Sequence, residues 1–243
     1  MDQKIVSKKT FDRDFNFNVL DKNFLRGKHI NYIKTDICIS EHIKKGYYWE
    51  LWMLKYLKDN YLVNTNMIDI GANIGTTTLL MNEVLTDSYK IHSIEPIYNN
   101  ILLKNVIDNN LENRVNVYSC GIGKEEQIVS IKTIDLNSGL NFGATSIINR
   151  ISAPNNNTTN IKIVPLDLFC FDNVSLIKID VEGMEIETLE GGYNLISQCK
   201  PTILLETYKI KELQESNIFK KLEQIGYKIN SIPEGYNDFI LKI

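Results

Sequence analysis

A chain of 243 residues with 43% hydrophobic content can bury a sizeable core in one domain, or in one domain with an appendage. A formal charge of −3 and a pI near 5.7 give it no bulk attraction to nucleic acid or to anionic lipid. The four cysteines, Cys38, Cys120, Cys170 and Cys199, are widely spaced without a Cys-x-x-Cys pair, which argues against a zinc knuckle or a disulfide framework; Cys120 and Cys199 sit beside apolar runs and read as reduced thiols. A polar N-terminus and the lack of any apolar run of membrane-spanning length predict a soluble chain in a reducing, cytoplasmic compartment, without membrane insertion.

Residues 1–45 show no clear period and are expected to pack as an irregular N-terminal extension, with 46–243 forming the main domain. Over residues 47–62 the apolar set Tyr48, Leu51, Trp52, Leu54, Tyr56 and Leu57 matches one helix face. Trp49 and Trp52 could line a carbohydrate site, although packing against a sheet explains them as well. The organising stretch is 67–78, where an apolar run ends in Asp69, Gly71, Ala72, Asn73 and Gly75 and passes at once into a helical pattern. That is a strand, a tight turn and a helix, the opening unit of an open α/β sheet that binds ligands beyond the carboxyl ends of its strands. The loop lacks the third glycine of a dinucleotide fingerprint, and its acid would repel a pyrophosphate. The ammonium and sulfonium of S-adenosylmethionine would instead be favoured there. The next strand, 90–94, ends in Glu95 and Pro96, where an acid can accept hydrogen bonds from both hydroxyls of a ribose.

A helix through Ile101, Leu102, Val106 and Ile107 and a strand at 114–119 lead to Cys120 and Gly121, small enough to leave room for an adenine ring, or simply a turn. After an alternating strand at 127–134, residues 135–160 are rich in Asn, Ser, Gly and Thr, with no core-forming period. A loop of that length is expected to be a substrate-side lid. The rest returns to alternating units: strands at 161–164, 176–179 and 202–205, a short helical start at 166–169, helices at 185–198 and 209–225, and closing strands at 227–232 and 238–243. Asp180 and Glu182 leave one strand, and Glu206 the next, on the edge that carries Asp69 and Glu95, so these acids are expected to ring one crevice. Glu185, Glu187 and Glu190 sit in early helical turns, where the helix dipole favours them without any catalytic role. His29, His42 and His92 are isolated, and His92 reads as a core residue.

The segment 67–75, Glu95 with its flanking Ile94 and Pro96, the pair Leu166 and Asp167, and 177–185 with 189–192 together resemble the motifs of FkbM-type methyltransferases. The resemblance spans about 67–206. It implies a class I, Rossmann-like α/β fold with a seven-stranded, mostly parallel sheet and helices on both faces, S-adenosyl-L-methionine as cofactor, and methylation of a hydroxyl on a sugar, polyketide or related metabolite. By motif, Asp69, Gly71, Asn73 and Gly75 would hold the amino-acid part of the cofactor, Glu95 its ribose, and Asp180 with Glu182 the methyl-transfer region. The chemistry calls for a base to take the acceptor's proton. Glu182 is the first candidate and Asp180 the second, with Glu206 positioning. A Mg²⁺ shared by Asp180, Glu206 and a substrate diol ranks below this metal-free route. The expected partner is a small-molecule or glycan acceptor, with self-association left open. An RNA cap ribose methyltransferase and a nicotinamide dehydrogenase remain the alternatives. The former needs a Lys beside its acid, and Lys178 is expected to sit too far inside its strand for that role.

Overall fold

The computed structural model of the protein describes residues 8–243; the first seven residues of the expected N-terminal extension lie outside it. The chain order is β1 (Leu20–Leu25), β2 (Lys28–Ile33), α1 (Ile39–Lys44), α2 (Met53–Asn60), β3 (Asn66–Ile70), α3 (Thr76–Val84), β4 (Ile91–Ile94), α4 (Asn99–Asp108) and β5 (Val115–Tyr118). There follow β6 (Gly121–Ile122), β7 (Gln127–Lys132), β8 (Thr158–Val164), β9 (Val174–Ile179), α5 (Glu185–Gly191) and α6 (Tyr193–Cys199). The chain closes with β10 (Thr202–Glu206), α7 (Ile210–Glu215), α8 (Asn217–Gln224), β11 (Lys228–Ser231) and β12 (Asp238–Lys242).

Seven strands form the central sheet in the order β11-β12-β10-β9-β3-β4-β5. Its strands are parallel except β12, which runs antiparallel to both neighbours. This is the seven-stranded α/β arrangement that the alternating units imply. Strand periodicity divides the core into two layers. Met67, Leu176, Leu204 and Ile240 join the apolar cluster under α2, α3 and α4, whereas Ile68, Ile70, Ile177, Ile179, Ile203 and Leu205 join the cluster under α5, α6 and α8. The same period governs polar positions. Asp69 is registered beside Lys178, Lys178 beside Leu204, and Glu206 beside Asp238, so one face of the sheet carries a row of charges at its edge.

Several expectations need correction. The N-terminal extension is not irregular over its described part: β1 and β2 form an antiparallel hairpin whose Ile30, Tyr32 and Ile33 are buried. The hairpin had no readable period because β1 is mostly exposed and β2 is buried without alternation over Ile30–Ile33. Buried Asn105 of α4 clamps it in place, accepting from the Asn31 backbone N–H at 2.6 Å and donating to Asn31 O at 3.0 Å. The helix expected over 47–62 begins only at Met53, because the backbone turns left-handed at Glu50 (φ 49°). The helix expected over 185–198 is two, broken at Gly192; that over 209–225 is also two, because extended Ser216 accepts from Phe219 N at 3.2 Å and starts α8 as a fresh helix.

Residues 133–157 form the long connection between β7 and β8; of the loop expected over 135–160, the last three residues belong to β8, which pairs with both β6 and β7 in a small separate sheet. The connection has an apolar anchor, Phe142, that is 1% exposed. The N-terminal segment grips it: Thr35 Oγ1 donates to Leu136 O at 2.5 Å, Ile37 N to Leu140 O at 3.3 Å, and the buried Asp36 carboxylate accepts from Phe142 N at 3.1 Å. Among the described residues no helix is long and apolar enough to cross a membrane.

Candidate active site

Two cavities open at the carboxyl edge of the parallel strands and meet there. The first is a narrow slot of about 50 Å³ between the β3, β4 and β5 ends and the 133–157 connection. Its walls include Gly71, Asn73, Glu95, Pro96, Cys120 and Gly121, with Thr145 and Ile147 closing the far side. The second is a crevice of about 610 Å³ over the β3, β9, β10 and β12 ends, lined by Trp49, Glu50, Lys178, Glu206, Tyr208 and Asp238 among others. Asn73, Gly143, Asp180 and Glu182 belong to both.

The slot is made largely of backbone. Gly71 (φ 76°), Asn73 (φ 50°) and Gly75 (φ 95°) bend the loop after β3 through left-handed conformations. Gly71 has a second reason to lack a side chain, since a Cβ there would lie 1.7 Å from the Asp180 carbonyl oxygen. Glu95 fastens this loop to the next one. Its Oε2 accepts from Asn73 N at 2.9 Å, and its Oε1 accepts from Ile97 N at 2.7 Å and Tyr98 N at 2.9 Å. Burial raises the Glu95 carboxyl pKa while these three N–H groups pull it back. The carboxylate is therefore fixed in place, with one acceptor position left over on Oε2. Burial alone holds the Cys120 thiol up to about 12, an inert group in the slot wall. Tyr98 Oη lies 2.7 Å from Thr145 Oγ1 and ties the 133–157 connection to the slot.

Asp69 does not stand on the crevice wall with the other acids. It is fully buried beneath the loop, where its Oδ2 accepts from Thr78 Oγ1 at 2.5 Å, and Thr78 in turn meets Ser93 Oγ at 2.9 Å. The alternation that puts Asp69 on the charged face also puts it under the first turns of α3, which it pins to the sheet. Its other oxygen, Oδ1, has no hydrogen-bond partner among the described residues and faces Lys178 Nζ at 4.0 Å. Burial raises its pKa and Lys178 opposes the rise. Glu95 lines the slot and Glu206 the crevice, so of the acids expected in one ring only Asp180 and Glu182 touch both cavities.

Lys178 also departs from expectation. Its side chain runs along the strand and its ammonium reaches the crevice, 2.9 Å from Asp180 Oδ2 and 3.3 Å from Gly71 O. Burial works against its charge, but Asp180, Asp69 and Glu50 outweigh burial and push its pKa up. The opposite problem faces the acids around it. Burial, with Asp180 and Glu185 nearby, lifts Glu182 to about 7. Burial also lifts Glu50 to about 7 and Asp238 to about 6, and with Asp180, Asp238 and Glu50 around it Glu206 rises to about 9. Glu182 itself sits at φ 51°, with Gly183 at φ 108° behind it, a local strain of a kind that collects at functional sites.

Among the crevice acids, Glu50 and Asp238 had no sequence-level assignment, and His42, expected to be isolated, borders the crevice as well. Asp238 could have been found, because a last strand running antiparallel starts at the edge where the others end. Glu50 follows no motif and arrives through the left-handed turn before α2. Trp49 and Trp52 are half-buried, pack on the core and border the crevice at once; Trp49 meets His42 edge to face at 4.9 Å. His92 is buried against Phe171 at 3.9 Å, as expected of a core residue, and Glu185 and Glu187 fall in the first turn of α5, where Glu185 accepts from Gly183 N at 2.7 Å. Glu190 does not share that place: the helix stops at Gly191, so Glu190 lies in its last turn, against the dipole, and pairs with Lys124.

The chain matches the methyltransferase FkbM domain over residues 69–229, more than half of its length. No curated protein sequence is similar to it. Among solved structures it resembles a methyltransferase FkbM from Methylobacillus flagellatus (19% identity, TM-score 0.52), covering 78% of this chain and 50% of that one. It thus spans about half the length of that relative. It also aligns with Aeropyrum pernix fibrillarin, a complex described with natively bound S-adenosyl-L-methionine (12% identity, TM-score 0.45), over 95% of this chain and 85% of that one. With a match over 69–229 that takes in the glycine loop after β3 and the ends of β4, β5, β9 and β10, this chain belongs to the FkbM methyltransferase family.

Proposed function

We propose that the chain transfers the methyl group of S-adenosylmethionine to a hydroxyl of a sugar or glycan. The observation that carries this reading is the meeting of slot and crevice at Asp180 and Glu182, with the Glu182 carboxyl raised to about 7. The residues fit the cofactor: Gly71 lets the loop lie directly against the Asp180 carbonyl, where a Cβ would clash, Glu95 offers a fixed carboxylate to a ribose, and orphaned Asp69 Oδ1 adds negative potential behind the loop. When bound, S-adenosylmethionine supplies an electrophilic methyl carbon on a positively charged sulfur that leaves as a neutral thioether.

The chain's own groups do the rest. Glu182, raised toward neutral pH, is matched to accept the acceptor hydroxyl's proton as the new C–O bond forms. Lys178 fixes Asp180 at 2.9 Å, so that the neighbouring acid aligns rather than wanders. Glu206, with a pKa near 9, keeps its proton at neutral pH while the crevice is empty and so does not act as the base. Alignment in a near-attack geometry supplies about 7 to 11 kcal/mol in favourable cases. The slot is too narrow for a nucleoside unless its Gly143 to Ile147 wall gives way, so the 133–157 connection is the movable lid of this reading.

Incubation with labelled S-adenosylmethionine and a panel of sugar glycosides, capped RNA and small phenols tests the proposal. Label in the sugar fraction supports it. Label only in RNA would give Lys178 and Asp180 a different acceptor and replace this reading.

A further inference from the structure

A sugar hydroxyl is neutral, yet the crevice that would receive it carries Glu50, Asp180, Glu182, Glu206, Glu234 and Asp238 against Lys178 and His42. Two of these acids are already paired, Asp180 by Lys178 and Glu234 by Lys55 and the Tyr56 hydroxyl. Glu50, Glu206 and Asp238 line the crevice and not the slot, and among the described residues none of them has a side-chain partner. Asp238 is 8% exposed, and its hydrogen-bond support comes from the backbone of its own turn at Tyr236 and Asn237. Thr76 and Thr77, 5% and 4% exposed, border the same space, and among the described residues neither hydroxyl has a hydrogen-bond partner. Polar side chains buried to this degree and left unsatisfied toward a cavity mark groups that a ligand completes.

Resting on the methyl-transfer reading, we propose that the crevice selects an acceptor bearing a protonated amine: an amino sugar or a comparable amine-substituted ring. The ammonium sits among Glu50, Glu206 and Asp238, and the ring lies against the aromatic wall. Three features decide for an organic cation. The space is about 610 Å³, the size of a small-molecule site rather than an ion's cage. Among the described residues no group of three acids, histidines or cysteines converges as metal ligands would. The rim also presents Trp49, Trp52, Tyr208 and Tyr236, rings on which sugar C–H groups and cations both pack, and Tyr208 and Tyr236 are 68% and 93% exposed. Burial and mutual repulsion keep Glu206 protonated at neutral pH in the empty crevice, so an arriving ammonium relieves that repulsion, the proton of Glu206 is released to solvent, and the resulting carboxylate pairs with the ammonium. Thr76 and Thr77 are left to meet ring hydroxyls.

The test uses the full chain saturated with S-adenosylhomocysteine and measures binding of methyl glucosaminide, its N-acetyl derivative and methyl glucoside by calorimetry. The amine should bind at least about tenfold more tightly than either neutral analogue, the effect of one charge-assisted contact. The advantage should vanish in Glu206→Gln with Asp238→Asn, and in Glu50→Gln should that pair fail to fold. Equal affinity for all three probes, including none detectable, overturns the inference. So does a gain in methyl glucoside affinity to the amine's level on adding magnesium chloride alone, which would assign the acids to an ion. Failure of the wild-type chain to bind S-adenosylhomocysteine at the outset overturns the methyl-transfer reading on which the inference rests, a separate result read before any sugar is added.

Discussion

The slot and the crevice share an edge of one sheet but are built on opposite principles. In the slot, Glu95 is fixed by three N–H groups that leave it one acceptor position, and the loop is held by glycine geometry. In the crevice, Glu50, Glu206 and Asp238 face one another with a single ammonium, Lys178, in reach of the cluster, and Lys178 is already committed to Asp180 and Gly71 O. A site shaped by backbone can serve one ligand shape without side-chain adjustment, whereas a site shaped by unpaired charge stores repulsion until a ligand neutralises it. The first arrangement suits a donor common to many reactions. The second suits an acceptor that must be told apart from others.

That contrast can be broken from the slot side most severely. Gly71→Ala adds a Cβ that would meet the Asp180 carbonyl at 1.7 Å in a left-handed backbone, so donor binding should be lost and stability should fall by more than about 3 kcal/mol in a denaturant titration. At the meeting point, Glu182→Gln should lower turnover by about a hundredfold while leaving donor affinity nearly intact. Activity of the unaltered chain should rise with pH and level off above about 7, as the Glu182 carboxyl loses its proton. Turnover unchanged with a verified acceptor would remove Glu182 from the role of base.

Behind the slot, Asn105 Nδ2 donates to Ile74 O at 2.7 Å in the donor loop and its other contacts hold β2. Asn105→Ala should cost about 2 kcal/mol by orphaning buried backbone groups, read as a lower denaturation midpoint. The smallest effect sharpens the crevice side. The folded-state pKa of Glu206 lies above its ordinary value, so folding binds its proton more tightly than the unfolded chain does. The associated stability is present in full below the ordinary carboxylate range and is lost as pH rises toward about 9. Glu206→Gln should therefore raise the melting temperature by about 2–4 °C at pH 8 and leave no gain at pH 4. A Tm gain of equal size at both pH values would show that charge repulsion is not the cause.

Much of this was legible before any coordinates. The run ending in Asp69 and Gly71, the acid at Glu95 and the pair Asp180 and Glu182 marked the strand edge where both cavities open, because glycine loops and period-two alternation are local properties of the chain. The broken helices at Gly192 and Ser216 were missed because apolar spacing continues across a cap that only backbone angles reveal.

What the sequence determined by itself was the order of units, the edge on which the acids fall and the family. The tertiary structure decided which acids meet: strand register set Lys178 against Asp69, the antiparallel last strand brought Asp238 beside Glu206, and a left-handed turn carried Glu50 in from outside the domain match. It also sealed Asp69 away beneath Thr78. Whether a carboxylate is a wall, a strut or a base depends on neighbours far away in the chain, whose register and burial fix its charge, and local periodicity carries no record of those partners.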